Sequence, residues 1–125
     1  MTVGPSVAII GAGFTGSLLA VHLLRQARAP VTIDIIDKRK GLGRGLAYAT
    51  DNVSHLLNVR AGNMSAFPDA PAHFVDWLSR IKGAAATEGV AGDSGYAFVP
   101  RRLYGAYLGE QLDAAVAGAG RTPPP

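Results

Sequence analysis

Gly11, Gly13 and Gly16 stand in the spacing GxGxxG directly after the apolar run Val7-Ala8-Ile9-Ile10. Asp37 follows about twenty residues beyond the last glycine. Glycines at this spacing suit a phosphate chain. The first permits a tight turn, the second lets a pyrophosphate approach the backbone, and the third allows a helix to pack close to a strand. An acid at the distance of Asp37 suits a ribose 2′-hydroxyl, to which its carboxylate is the hydrogen-bond acceptor. The chemistry expected of this set is dinucleotide binding.

Such a set works only if the chain around it is strand, turn, helix, strand. Ser6 to Ile10 reads as the first strand. A helix is expected from Gly13 or Phe14 to Ala27 or Arg28, with Arg25 and Arg28 in its last turns, where cations suit the helix dipole, and Pro30 just beyond. Val31 to Ile36 is a β-branched run and reads as the second strand, with Asp37 at its C-terminal end. The N-terminus of the helix then presents amides and a positive dipole end to the phosphates. His22 lies inside the helix and reads as a partly exposed side chain without a chemical role.

The next stretch, Lys38 to Thr50, carries glycine at 41, 43 and 45 with cations at Lys38, Arg39, Lys40 and Arg44. Its backbone is suited to lie along a phosphate chain, with Arg44 adding charge. It is not a P-loop, because no GK[ST] follows. Lys38 and Arg39 are alternatives for holding the 2′-phosphate of NADP, but Asp37 opposes this, since a carboxylate repels that phosphate.

Composition bounds the remaining choices. A chain of 125 residues is one domain of ordinary size, and 48% hydrophobic with 17% charged residues reads as globular. Net charge is +3, with the cations scattered apart from two small clusters, so no nucleic-acid interface is expected. The absence of cysteine excludes disulfides and a thiol nucleophile. Residues 7–24 approach the length of a membrane span, but three glycines break the run and Met1 to Ser6 has no cation of a secretory leader. The chain reads as soluble and cytoplasmic, with no membrane partner. The triplets beginning at Asn52 and Asn63 match glycosylation sites, which such a location makes irrelevant.

Farther along, Asp51 to Ser65 reads as loop, with Leu56, Leu57 and Val59 as anchors and His55 and Asn58 as exposed polar side chains. A helix is expected from Asp69-Ala70-Pro71 to Lys82-Gly83, burying Phe74, Trp77, Leu78 and Ile81 on one face. Gly83 to Gly95 reads as a loose connection. Tyr96 to Val99 is a short extended piece and a doubtful third parallel strand. A last helix starts at Arg101 after Pro100, with Leu103, Tyr107, Leu108, Leu112 and Val116 inward. Arg101 and Arg102 oppose the dipole at that end, which points to phosphate or carboxylate partners. Gly118 to Pro125 reads as a disordered tail.

The segments VAIIGAGFTGSLLAVHLL, IDIIDK, GRGLAYAT, HLLNVRAGNMSAFPDAPAHFVDWL and FVPRRLYGAYL resemble the N-terminal part of a family of bacterial FAD/NAD(P)-binding proteins. That family is itself similar to flavin-containing monooxygenases, and the resemblance runs from Val7 to about Leu112. It implies an α/β, Rossmann-like FAD-binding fold over residues 1–117, a partial form of a larger doubly wound domain. It places the pyrophosphate on Gly11 to Gly16 and the adenine ribose on Asp37. Gly43 to Tyr48 would pass near the pyrophosphate and ribityl chain, and Asn58 to Ser65 would approach the flavin. The expected cofactor contacts are Gly11, Gly13, Phe14, Thr15, Gly16, Asp37, Lys38, Arg44, Gly45 and Ala47. Larger members carry a second GxGxxG for NAD(P)H and a late Gly-Asp strand over the ribityl. This chain shows neither.

The chain is therefore expected to supply the FAD half-site of a monooxygenase-like oxidoreductase, with NAD(P)H bound elsewhere and the remainder of a larger enzyme as its partner. The alternatives are a non-catalytic dinucleotide-binding fragment or module and an NAD-dependent dehydrogenase domain. No catalytic residue, paired acids, triad or metal-ligand spacing stands out.

Overall fold

The computed structural model describes residues 4–38, Tyr48, Asn52, 54–81 and 95–119. The order of elements is β1 (Ser6–Ile10), α1 (Phe14–Gln26), β2 (Thr32–Ile36), a single 3-10 turn (Ala61–Asn63), α2 (His73–Ile81) and α3 (Arg101–Ala119). They divide into two units. One holds β1, α1, β2 and α3 from Leu108 onward. The other runs from Tyr48 to Tyr107.

In the first unit β1 and β2 pair in parallel, Ser6 opposite Thr32 and Ile10 opposite Ile36. Backbone bonds extend the ladder at both ends, from Thr32 N–H to the Pro5 carbonyl at 3.0 Å and from Gly11 N–H to the Ile36 carbonyl at 2.7 Å. The connection between parallel strands is α1, as a β-helix-β crossover requires. Helix α1 contacts both strands and buries Ser17, Leu18, Ala20 and Val21. The period-two alternation of a strand puts Ile9 in the core and leaves Ile10 and Ile36 exposed. The helix ends where Ala27 turns to extended backbone, before Arg28, and Pro30 follows. Leu19 of α1 is 47% exposed.

The second unit is organised around aromatic rings. Phe74 and Trp77 on α2 and Tyr104 and Tyr107 on α3 are buried, and Phe74 lies 4.8 Å from Tyr107, 5.0 Å from Tyr104 and 6.0 Å from Trp77 between centroids. Tyr48 meets Tyr104 edge-on at 5.0 Å. Residues 55–62 run antiparallel to 95–101. Leu57 N–H donates to the Val99 carbonyl, Ala61 N–H to Ala97, Gly62 N–H to Gly95, and Arg101 N–H to His55. Tyr96 to Val99 is thus an antiparallel partner of 55–62 and adds no parallel strand to β1 and β2. Of the three expected anchors Leu57 is buried, while Leu56, on the opposite face, and Val59, at a bend that interrupts the extended chain, are exposed.

Helix α2 starts at His73, four residues later than Asp69. Ala70 precedes Pro71, which disfavours helical backbone there. A serine-centred turn fills the gap, with the Ser65 hydroxyl donating to the Ala70 carbonyl at 2.7 Å and accepting Phe67 N–H at 3.0 Å. In α3 the buried stripe is Leu103, Tyr104, Tyr107, Leu108 and Leu112. Val116, expected inward at i+4 from Leu112, is 59% exposed. The helix runs through Gly118 to Ala119; residues 120–125, read above as the tail, and most of the Gly83 to Gly95 connection lie outside the described residues.

The Tyr107 hydroxyl accepts Ala66 N–H at 3.1 Å and lies 2.8 Å from His73 Nδ1. Tyr107→Phe removes an acceptor from a buried amide and is expected to cost about 1–3 kcal/mol, read as a lower midpoint in urea unfolding followed by Trp77 fluorescence. Burial raises the phenol pKa values of Tyr48, Tyr104 and Tyr107 above their ordinary value. For Tyr48 the nearby Arg101 charge partly opposes this, and for Tyr107 the Ala66 N–H does. A phenol whose folded pKa is raised stabilises the fold fully below its unfolded value of 10.0 and loses that contribution as pH rises toward the folded value. Stability of the second unit is therefore expected to fall as pH climbs past 10, with phenolate absorbance appearing together with unfolding. A folded protein whose buried tyrosines titrate without loss of stability contradicts this.

Candidate functional site

The joint between β1 and α1 is built from backbone. Gly11 has φ +99°, a conformation that side-chain-bearing residues adopt at a cost, and it follows the last strand residue. A Cβ on Gly16 would overlap the Gly11 carbonyl oxygen and press on Ile9 Cγ2 at 3.2 Å. Gly16 thus lets the first turn of α1 sit directly on the end of β1. Gly13 is the N-cap of α1 in extended backbone, with no side-chain cap, and the first turn carries no acid. Phe14 and Thr15, the first helical residues, are exposed. An uncapped helix end with no carboxylate in its first turn is suited to an anion.

Asp37 closes the loop. Its Oδ2 accepts the Ala12 N–H at 2.6 Å, so the carboxylate at the end of β2 is tied to the middle of the glycine turn. The parallel register makes this possible, because it sets the ends of β1 and β2 side by side and the Gly11–Ile36 bond holds them there. A hydrogen bond to an ionised acceptor is among the stronger ones. Lys38, next in the chain, is exposed. Ala12 itself is buried at 1% exposure, and behind it the fully buried Ser17 donates its hydroxyl to the Ala12 carbonyl at 3.1 Å.

The structure therefore brings together Gly11, Gly13, Phe14, Thr15, Gly16 and Asp37 of the expected set. Arg44, Gly45 and Ala47 fall outside the described residues. Ala12 and Ser17 are the members that sequence reasoning missed. The available signal for Ser17 was a small hydroxyl residue immediately after the last glycine, inside an otherwise apolar run. Asp37→Ala is expected to weaken dinucleotide binding and to destabilise the glycine turn, each by about 1–3 kcal/mol. The first is read by ligand titration and the second by thermal unfolding without ligand. Unchanged values in both would remove Asp37 from the site.

The two arginines of α3 behave differently. Arg101 Nε donates to the Leu56 carbonyl at 2.9 Å, so this side chain helps fix the helix start to the 55–57 segment. Arg102 Nε is enclosed and has no hydrogen-bond partner among the described residues. Among the described residues no group of three or more His, Asp or Glu side chains is placed to hold a metal ion. Among them, too, no helix is long and apolar enough to cross a membrane.

A family model described as FAD-NAD(P)-binding matches residues 8–123. No curated protein and no solved structure matches the chain.

Proposed function

The chain belongs to the FAD-NAD(P)-binding family, and on that premise we propose that it binds FAD, as the cofactor-holding part of a monooxygenase-like oxidoreductase. The observation that carries this is the 2.6 Å bond from Ala12 N–H to Asp37, which sets a strand-end carboxylate against the glycine turn. A carboxylate there suits a ribose diol and repels a 2′-phosphate, which favours FAD or NAD over NADP. The resemblance of the GRGLAY and LLNVRAGNMS segments to flavoproteins favours FAD.

The residues fit the cofactor's phosphate end. Gly11 makes the turn, Gly16 keeps the helix start close to the strand, and Gly13 and the amides after it face the pyrophosphate. Asp37 holds the adenine ribose. When bound, the flavin supplies the redox chemistry, and the chain supplies binding and orientation. The test is competition. FAD is expected to bind more tightly than NADP, and NADP binding more tightly than FAD or ADP overturns the assignment.

On the same reading NAD(P)H binds outside this chain and turnover needs the remainder of a larger enzyme. The exposed Ile10 and Ile36 on the sheet of the first unit support further packing partners. The isolated chain is expected to show no NAD(P)H oxidation with added FAD. Steady oxidation above the rate of free flavin contradicts this. The alternative, an NAD-binding or non-catalytic module, predicts colourless protein that prefers NAD or ADP to FAD.

A further inference from the structure

Tyr107 is fully buried, and the atoms around its hydroxyl fix which way the hydrogen bonds run. An amide N–H only donates, so at the 3.1 Å contact with Ala66 the phenol oxygen is the acceptor. The hydrogen of a buried hydroxyl needs an acceptor of its own. His73 Nδ1, at 2.8 Å, is the atom placed to take it. The imidazole is then neutral, with its N–H at Nε2. Around this pair the second unit packs further rings that can lose an electron. Between centroids, Tyr104 lies 5.5 Å from Tyr107, Tyr48 lies 5.0 Å from Tyr104, and Trp77 lies 5.5 Å from Tyr107. Tyr48 is half-buried and Tyr104 and Tyr107 are buried, so three phenols lead from a partly exposed ring to a fully buried one. Rings at such spacings are ordinary in a packed core. An imidazole nitrogen aimed at the innermost phenol is not something packing requires.

We propose that Tyr107 is a redox-active tyrosine, with His73 as its proton acceptor and the Tyr104 and Tyr48 rings as its electron path. A strong one-electron oxidant arriving at Tyr48 takes one electron from Tyr107 through these rings. The O–H bond of Tyr107 breaks and an N–H bond forms at His73 Nδ1. The products are a neutral tyrosyl radical, an imidazolium and the oxidant reduced by one electron. A one-electron reductant reverses both transfers. The proton moves along a hydrogen bond that already exists, which is the geometry a proton acceptor needs. Burial raises the phenol pKa of Tyr107, so phenolate is scarce at neutral pH and electron and proton leave together. His73 is only half-buried, which leaves the imidazolium in touch with water. The buried radical cannot meet a tyrosyl of another molecule, and it is therefore long-lived. All of these residues lie in the second unit, so the device is the same whichever dinucleotide the first unit binds.

The probe is photogenerated ruthenium(III) tris(bipyridine), a soluble one-electron oxidant, acting on the full chain with Tyr96→Phe. That substitution removes a tyrosine 69% exposed, which the oxidant would otherwise attack directly. Transient absorption and electron paramagnetic resonance are expected to show a long-lived neutral tyrosyl radical. Adding Tyr107→Phe should remove it and leave only short-lived signals. His73→Gln keeps a hydrogen-bond acceptor but supplies no base, and should slow radical formation roughly 100-fold, the lower end of what a placed general base contributes. Circular dichroism and urea unfolding report whether each variant folds. Electron–nuclear double resonance on the Tyr96→Phe protein needs no further substitution. It should show a strongly coupled exchangeable proton, the one left on Nδ1. A signal from Trp77 alone, an undiminished tyrosyl signal in folded Tyr107→Phe, an unchanged rate in folded His73→Gln, or a radical without the exchangeable-proton coupling overturns the proposal.

Discussion

Gly16→Val is expected to weaken dinucleotide binding strongly and to destabilise the first unit. A Cβ at this position would overlap the Gly11 carbonyl oxygen, and that oxygen belongs to backbone held in place by the Gly11–Ile36 bond. The partner in the clash therefore has no flexible end to move aside. Helix α1 must lift from the end of β1, which displaces the Ala12 amide from Asp37 and the buried Ser17 from the Ala12 carbonyl. Forcing atoms into a packed site costs about 1–3 kcal/mol and occasionally more. At 1.4 kcal/mol per tenfold, a loss of roughly 100-fold in affinity is expected from the displaced loop, with a lower melting temperature in the absence of ligand.

Gly13→Val makes the contrast that assigns the cause. Gly13 has φ −78° and ψ −161°, extended backbone open to any residue. This substitution should leave the ligand-free melting temperature nearly unchanged and still remove dinucleotide binding, because on the proposed reading the branched side chain would stand where the pyrophosphate passes. Equal destabilisation by both variants would mean that Gly13 serves packing. Intact binding in Gly13→Val would move the phosphate site elsewhere.

Phe74→Ala is expected to have the largest effect on stability. Phe74 is fully buried and its ring meets Trp77, Tyr104 and Tyr107. Removing a buried phenylalanine ring costs about 3–5 kcal/mol, a large share of the stability of an ordinary domain. Here the loss falls at the centre of the cluster that joins α2 to the start of α3. The second unit should lose its cooperative transition. Trp77, the single tryptophan and 4% exposed in the folded chain, should shift its emission to longer wavelength at room temperature. Phe74→Leu keeps most of the apolar volume and should retain the transition with a smaller loss. A cooperative Phe74→Ala protein with unshifted emission would show that the cluster is not the support of this unit.

The order β1, glycine turn, α1, β2 and Asp37 was readable from the chain because each part is set by near neighbours. Strand propensity, the turn at Gly11, and the break at Ala27 before Pro30 depend on backbone stereochemistry over a few residues. The apolar face of α2 followed from spacing for the same reason, and so did the start of α3 after Pro100. What the residues around Asp37 do not contain is the identity of its partner. Only the parallel register of β1 and β2 brings its carboxylate to an amide 25 positions away. The antiparallel pairing of 55–62 with 95–101 is likewise non-local, and it decided that Leu57 is buried while Leu56, on the opposite face, is exposed. Tyr104 joined the core, and Val116 left it, because burial along α3 follows what packs against each turn, and helical spacing alone does not carry that information. The contacts of the Arg60 guanidinium with the Tyr96 and Phe98 rings have the same origin, since only the pairing of two distant segments sets a cation beside two aryl faces.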